Sequence, residues 1–266
     1  MVKIASLINR VIAILLQLLG RISYRLTVYS SGDSSREYTG DTTVRTTYLN
    51  DLNEQLVKAA LRNDKLLFLQ HIINQDFANY EVNYDENLQI RLGLNLIVDD
   101  IKKISTPTTI LDIACGNCSL LRAIKNINNK FTTIGVDVSP VRVLLNQQYV
   151  DRIYFGFAEN LPIDESQIDV VVATEALEHV INVKSAIKEM VRILKPGGLI
   201  YCQVPLGEFA DGINHLRHFD RDALRELFEQ SGMVIDSIQI IPYLVGQEPN
   251  NIYLRAHKPY DMMAKR

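Results

Sequence analysis

Beyond residue 105 the apolar positions fall into short unbroken runs, separated by stretches with helical spacing. The runs Ile110 to Ile113, Phe131 to Asp137, Ile153 to Phe157, Ile168 to Ala173 and Leu199 to Val204 predict buried strands. Between them, Leu120, Leu121 and Ile124, and later Ala186, Ile187, Met190, Val191, Ile193 and Leu194, predict helices. A helix over Arg221 to Gln230, capped by Gly232, leads to two last strands, Met233 to Ile240 and Asn251 to Ala256. Alternating strands and helices imply an α/β fold with a mostly parallel sheet and helices on both faces.

Upstream the pattern changes. Residues 3–22 place Ile4, Leu7, Ile8, Val11, Ile12, Leu15, Leu18, Leu19 and Ile22 on one helical face. Arg10 and Arg21 lie opposite, so residues 1–29 read as a basic amphipathic helix. Its run without charge, Val11 to Gly20, is too short for a transmembrane span, and Gly20-Arg21-Ile22-Ser23 is a poor cleavage site. A helix in the membrane interface competes with one docked on this chain or on a second subunit. Residues 30–47, rich in Ser, Thr, Gly and Asp, read as a polar linker. Residues 48–104 read as a helical cap region: one or two helices from Tyr48 to Ile73, a polar loop from Phe77 to Asn87, and a helix from Leu88 that ends before Pro107. The main domain then spans 105–257, and 258–266 is a polar tail expected to fray.

Charge and cysteine content narrow the function. The net charge of −3 carries no nucleic-acid signature. It is unevenly spread, with +4 on residues 1–32 and −7 on the rest. Three cysteines make no disulfide framework. Cys115 and Cys118 form C-x-x-C without a second ligand pair or a thioredoxin-like context, so they read as small residues of a ligand loop. Reduced thiols fit a cytoplasmic chain.

The chemistry centres on Thr109-Ile110-Leu111-Asp112-Ile113-Ala114-Cys115-Gly116-Asn117-Cys118. A strand, a turn of small residues and a helix bring backbone N–H groups and a helix N-terminus to a ligand. This stretch resembles motif I of the class I S-adenosylmethionine-dependent methyltransferases, close to D-x-G-x-G-x-G. Asp112 and Gly116 match; Ala114 and Cys118 stand where glycines are usual, which predicts a bulkier loop. Three later segments extend the resemblance. Gly156-Phe157-Ala158-Glu159-Asn160-Leu161-Pro162-Ile163 is similar to the adenine-lining segment, with Phe157 in place of its aspartate. Thr174-Glu175-Ala176-Leu177-Glu178-His179-Val180 is similar to the L-E-H-V motif after strand four. Arg192-Ile193-Leu194-Lys195-Pro196-Gly197-Gly198 is nearly R-x-L-K-P-G-G, with the glycines expected to end the helix.

The resemblance implies a Rossmann-like, doubly wound seven-stranded sheet with an N-terminal helical extension. It implies S-adenosyl-L-methionine as cofactor, held by Asp112, Ala114, Cys115, Gly116, Asp137, Val138, Ala158, Glu159 and Thr174. Asp137, at the end of strand two, can also be read from its position alone. It lies about 20 residues past the turn, where a carboxylate can accept from both ribose hydroxyls, or it can be a helix N-terminal acid.

His179 is the candidate base, with Glu178 beside it; the competing reading is that the pair caps and orients the next helix. Glu175, Glu178 and His179 form E-x-x-E-H, spaced to share a helical face, which His215 or His218 can complete as a divalent-metal site. Small-RNA and ubiquinone-pathway O-methyltransferases carry a similar element. His215, Arg217 and His218 are otherwise candidate acceptor contacts. The expected activity is O-methylation of a small molecule, glycan or lipid-linked intermediate, with peripheral membrane contact through residues 1–28 and a homo-oligomer as further expectations. Two rivals remain: a methyltransferase fold that only binds or scaffolds, and a Rossmann dehydrogenase, which the K-P-G-G and L-E-H-V segments disfavour.

Overall fold

The structure, a computed structural model, describes residues 62, 64–70, 72, 91–207 and 215–260. The basic helix, the polar linker, the loop from Phe77 to Asn87, most of 48–73 and the last six residues lie outside the described residues.

Seven strands form one sheet: β1 (Thr109–Ile113), β2 (Thr132–Asp137), β3 (Arg152–Phe155), β4 (Ile168–Thr174), β5 (Leu194–Pro205), β6 (Val234–Ile241) and β7 (Asn251–His257). Their order is β3-β2-β1-β4-β5-β7-β6. β3 to β5 pair in parallel, while β7 runs antiparallel between β5 and β6. Among the described residues from 91 onward these helices accompany them: α1 (Leu92–Ile101), α2 (Ser119–Ile127), α3 (Pro140–Asn146), α4 (Val183–Ile193) and α5 (Arg221–Gln230).

The unbroken apolar runs follow from burial on both faces. Leu111, Ile113, Val171 and Ala173 face one core with Ile187, Met190 and Phe228. Ile110, Val170 and Val172 face the other, with Ile97, Ile101, Leu121 and Ile124. Neighbouring residues of a strand point to opposite sides, so neither side tolerates a polar alternation. The strand order reverses between β1 and β4. Connections there leave in opposite directions, the switch point at whose carboxyl-end side open α/β sheets bind their ligands.

Two local expectations fail. Lys195 to Gly198 do not cap α4, because Leu194 is already extended and pairs with Ile168. The segment is an irregularity inside β5, where Gly197 takes a φ of 77° against the ring of Tyr260. The capping role of Glu178-His179 also fails: Asn182 caps α4, its side chain accepting from the Ser185 N–H at 3.0 Å. Where the sequence suggests only a polar tail, Lys258 donates from Nζ to the carbonyls of Val191 and Leu194, closing the carboxyl end of α4. Among the described residues no helix is long and apolar enough to cross a membrane.

Candidate active site

Four loops meet at the carboxyl ends of β1 to β4. The first follows β1. Ala114, Gly116 and Cys118 all take left-handed backbone, with φ of 58°, 53° and 60°. These are the three glycine positions of the D-x-G-x-G-x-G pattern, so the fold demands positive φ even where glycine is absent. The expectation of a bulkier loop is corrected by where the side chains go. The Cys118 thiol is fully buried in the core against α2. That of Cys115 packs over Gly135, where a Cβ would come within 2.7 Å of the sulfur. The two sulfurs lie 3.7 Å apart. The hydrogen bond from Cys118, burial and nearby Asp137 hold the Cys115 thiol far above the ordinary range, so it stays protonated. Cys115 therefore offers a ligand its backbone only.

An L-residue in this conformation costs about 1–2 kcal/mol. Ala114 is exposed, so Ala114→Gly is expected to relieve strain without losing packing and to raise stability by about 0.5–1 kcal/mol. Cys118→Gly removes a buried thiol and is expected to lower it by about 1 kcal/mol. Urea midpoints of the two variants check the opposite signs.

The second loop follows β2 and is tied to the first. Asp137 Oδ2 accepts the Gly116 N–H at 2.8 Å, and Oδ1 accepts the Ser139 N–H at 2.8 Å. Ser139 then caps α3 by accepting from Arg142 N–H. Asn146 donates to the Gly116 carbonyl at 3.2 Å. Asp112 is buried at the end of β1, and Val138 is half-buried.

The third loop carries Phe157, which packs against Phe68 of a helical stretch over 65–70 and against Phe155, at centroid distances of 6.3 and 6.4 Å. The Lys65 ammonium lies 5.2 Å from the Phe157 ring centre. Ala158 is buried. Glu159 Oε1 accepts the Asn182 N–H at 2.9 Å, a contact the sequence does not signal.

The fourth loop follows Thr174, the half-buried last residue of β4. It is a turn and not a helix, so the shared helical face expected for E-x-x-E-H is absent. Glu175 takes a φ of 52°, and its Oε1 accepts from Gln203 at 3.0 Å and Asn251 at 2.6 Å. Neither partner was anticipated; the only sequence signals were polar residues inside apolar strands. The chain turns through His179 N–H to Ala176 O at 3.0 Å. His179 Nε2 lies 3.7 Å from Glu178 Oε1, and its ring meets that of His215 edge-to-face at 4.8 Å. Ligand atoms of Glu178, His179 and His215 all lie within 4.8 Å of one another. Glu175 is drawn off to Gln203 and Asn251, and His218 is not in the group.

Glu178 is fully buried, and neither carboxyl oxygen has a hydrogen-bond partner. Burial first, then the charge of Glu175, pushes its pKa well above the carboxylate range; Arg217 opposes this. The native state therefore keeps a proton that the unfolded chain releases. Stability falls as pH rises above the ordinary carboxylate pKa, by about 1.4 kcal/mol per pH unit until the native group ionises. Glu178→Gln cannot ionise. In EDTA-treated protein its stability relative to the native chain is expected to grow from pH 5 to pH 8, and denaturant titrations at both values check this.

The comparisons with known proteins fit this geometry. A family described as "Methyltransferase domain" matches residues 111–202, which include the first loop and run to the middle of β5. Residues 111–202 thus carry a methyltransferase domain, in agreement with the resemblance to the class I S-adenosylmethionine-dependent methyltransferases. Demethylmenaquinone methyltransferases of Staphylococcus epidermidis and Chlorobaculum tepidum are each 33% identical, over 98 and 99 residues. These matches cover 35% and 36% of this chain. The chain thus spans about two-fifths of these relatives, 41% and 40% of their lengths. The fold is shared with a Haloferax volcanii methyltransferase solved in complex with the Trm112 methyltransferase activator, at a TM-score of 0.60 and 18% identity. That match covers 71% of this chain and 96% of the other. A [4+2]-cyclase also shares it, at a TM-score of 0.53 and 18% identity over 62% of this chain and 81% of the cyclase. Fold alone therefore does not name the reaction.

The family's cofactor is S-adenosylmethionine. The loops of this methyltransferase domain suit it. At Gly116 the φ of 53° favours glycine, and an added Cβ would also crowd the movable Arg142 guanidinium at 3.2 Å. A carboxylate offers about four acceptor sites, so Asp137 can hold two loop N–H groups and still receive ribose hydroxyls.

Proposed function

We propose that this chain transfers the methyl group of S-adenosylmethionine to an acceptor hydroxyl that His179 deprotonates. The acceptor class we infer is a small molecule, glycan or lipid-linked intermediate. The observation that carries the reading is the His179–His215 pair at the end of β4, beside loops suited to the cofactor. Bound S-adenosylmethionine supplies an electrophilic methyl on a sulfonium centre. Asp137 and the backbone of Ala114 to Gly116 orient it, with Asp112, Val138, Ala158, Glu159 and Thr174 lining the remaining wall. His179 takes the hydroxyl proton, and the acceptor oxygen gains the methyl as the carbon–sulfur bond breaks.

A phenolic acceptor spreads the charge left by deprotonation from oxygen to ring carbon. The quinone methyltransferases among the relatives therefore support a carbon-directed variant of the same step. The deciding experiment incubates the protein with methyl-¹³C S-adenosylmethionine and hydroxyl acceptors, including 1,4-dihydroxynaphthalene. A methoxyl carbon signal supports the oxygen-directed reading, and a ring methyl signal the carbon-directed one. Absence of cofactor binding by calorimetry sinks both and favours a scaffold role. Sedimentation with anionic liposomes, with and without residues 1–28, tests a membrane-borne acceptor: equal sedimentation removes it.

A second reading is favoured by the clustering of Glu178, His179 and His215. One carboxylate and two imidazoles suit a divalent transition ion, which would polarise the acceptor hydroxyl. Turnover that survives exhaustive chelation excludes it.

A further inference from the structure

Arg217 is a candidate acceptor contact, and two of its five N–H donors are held inside the protein. Nη1 donates to the Leu177 carbonyl at 2.7 Å and Nη2 to the Ile181 carbonyl at 3.0 Å. The guanidinium thus spans the turn that carries Glu178 and His179. Next to it, the Leu216 N–H donates to the Glu178 carbonyl at 2.8 Å. We propose that Arg217 is a positioning residue: it clamps segment 215–218 to the turn after β4 and so holds the His215 ring against His179. The inference rests on the methyl-transfer reading for its purpose, but not for its geometry.

Three features support it. The chain between β5 and α5 is pinned at its neck, where Gly207 N–H donates to the Phe219 carbonyl at 2.8 Å and Leu206 bridges Phe219. That neck lies two residues beyond Arg217 and does not reach His215. Besides Arg217, the Leu216 N–H bonds the turn and the Leu216 side chain shares an apolar cluster with Ile181; a single N–H and a non-directional apolar contact set a distance without fixing an orientation. The turn itself is anchored on its inner side by Leu177, which is fully buried. Arg217 supplies the outer hold, and a planar guanidinium satisfies two carbonyls in one fixed plane, which an ammonium does not.

The test uses EDTA-treated full-length protein with ¹³C,¹⁵N-labelled histidine, and His215→Gln and His179→Gln to assign the two rings. Native protein is expected to show a ring-to-ring Overhauser contact and an upfield shift of the ring protons that lie over the other imidazole's face. In Arg217→Lys both are expected to disappear. Calorimetry should find S-adenosylmethionine affinity within about threefold of native, because the clamp lies outside the first three loops. Arg217→Lys keeps the stem and the charge, so a merely structural arginine would leave the contact in place. A persistent contact in that variant, or its absence in native protein, overturns the inference. Failure of native protein to bind S-adenosylmethionine would instead sink the methyl-transfer reading, since the ring contact is read without cofactor or turnover.

Discussion

Replacing His179 by Asn is expected to lower kcat by about 10²–10⁴-fold, the usual contribution of a general base. The cofactor's Kd should stay within about twofold. The split follows from position. His179 sits on the turn after β4, with its side chain 35% exposed. Apart from Thr174, the groups proposed to hold the cofactor belong to β1 and to the loops after β1, β2 and β3. Asparagine keeps polarity at the site but cannot accept the hydroxyl proton. The His215 ring, 4.8 Å away, is too far to replace it at the same acceptor atom without a shift of the chain. Single-turnover rates at saturating cofactor, paired with calorimetry, make the measurement. Unchanged turnover would leave His179 a structural member of the turn, and a parallel loss of cofactor affinity would move it into the binding wall.

Asp137→Ala is expected to weaken S-adenosylmethionine binding by about 100-fold, equivalent to about 2.7 kcal/mol. It should also lower stability. The carboxylate is 6% exposed and accepts two backbone N–H groups, from Gly116 and Ser139. Removing it leaves both donors unsatisfied, at about 1–3 kcal/mol each when buried. It also frees the left-handed turn at Gly116 from β2, so the loop loses its shape together with the ribose acceptors. Asp137→Asn should fall between, because one amide oxygen can still accept while the NH₂ faces a donor. Calorimetry and thermal melts on the same samples separate the two losses. Full affinity with a lowered melting temperature would mean that Asp137 only joins the loops.

Much of this was legible beforehand, for a physical reason. Strands buried on both faces must be apolar throughout, so the runs around Ile110, Ile134 and Val171 announced a covered parallel sheet. A carboxylate at the end of a strand, as at Asp137, is costly unless it has partners, so its place signalled a site. The resemblance in motif I was likewise local: φ is a property of one residue, and the glycine pattern records where φ is positive.

Other features depended on distant chain segments. Glu175, Glu178 and His179 had helical spacing, but the fold places a left-handed residue at Glu175 and draws its carboxylate to Gln203 and Asn251. Periodicity cannot report that, because the competing partners lie on β5 and β7. Arg217 looked like a ligand contact, yet burial beside the turn gave its donors two carbonyls. Cys118 looked like bulk in a loop, while the structure turns its thiol and that of Cys115 into the core. By itself, then, the sequence determined the element order, the class of cofactor site and the residues at the strand ends, since each follows from local burial and backbone demands. Tertiary structure decided which polar groups satisfy one another and which remain to face a ligand. A buried hydrogen bond forms with whichever partner packing brings within about 3 Å, and that neighbour is set by the whole sheet.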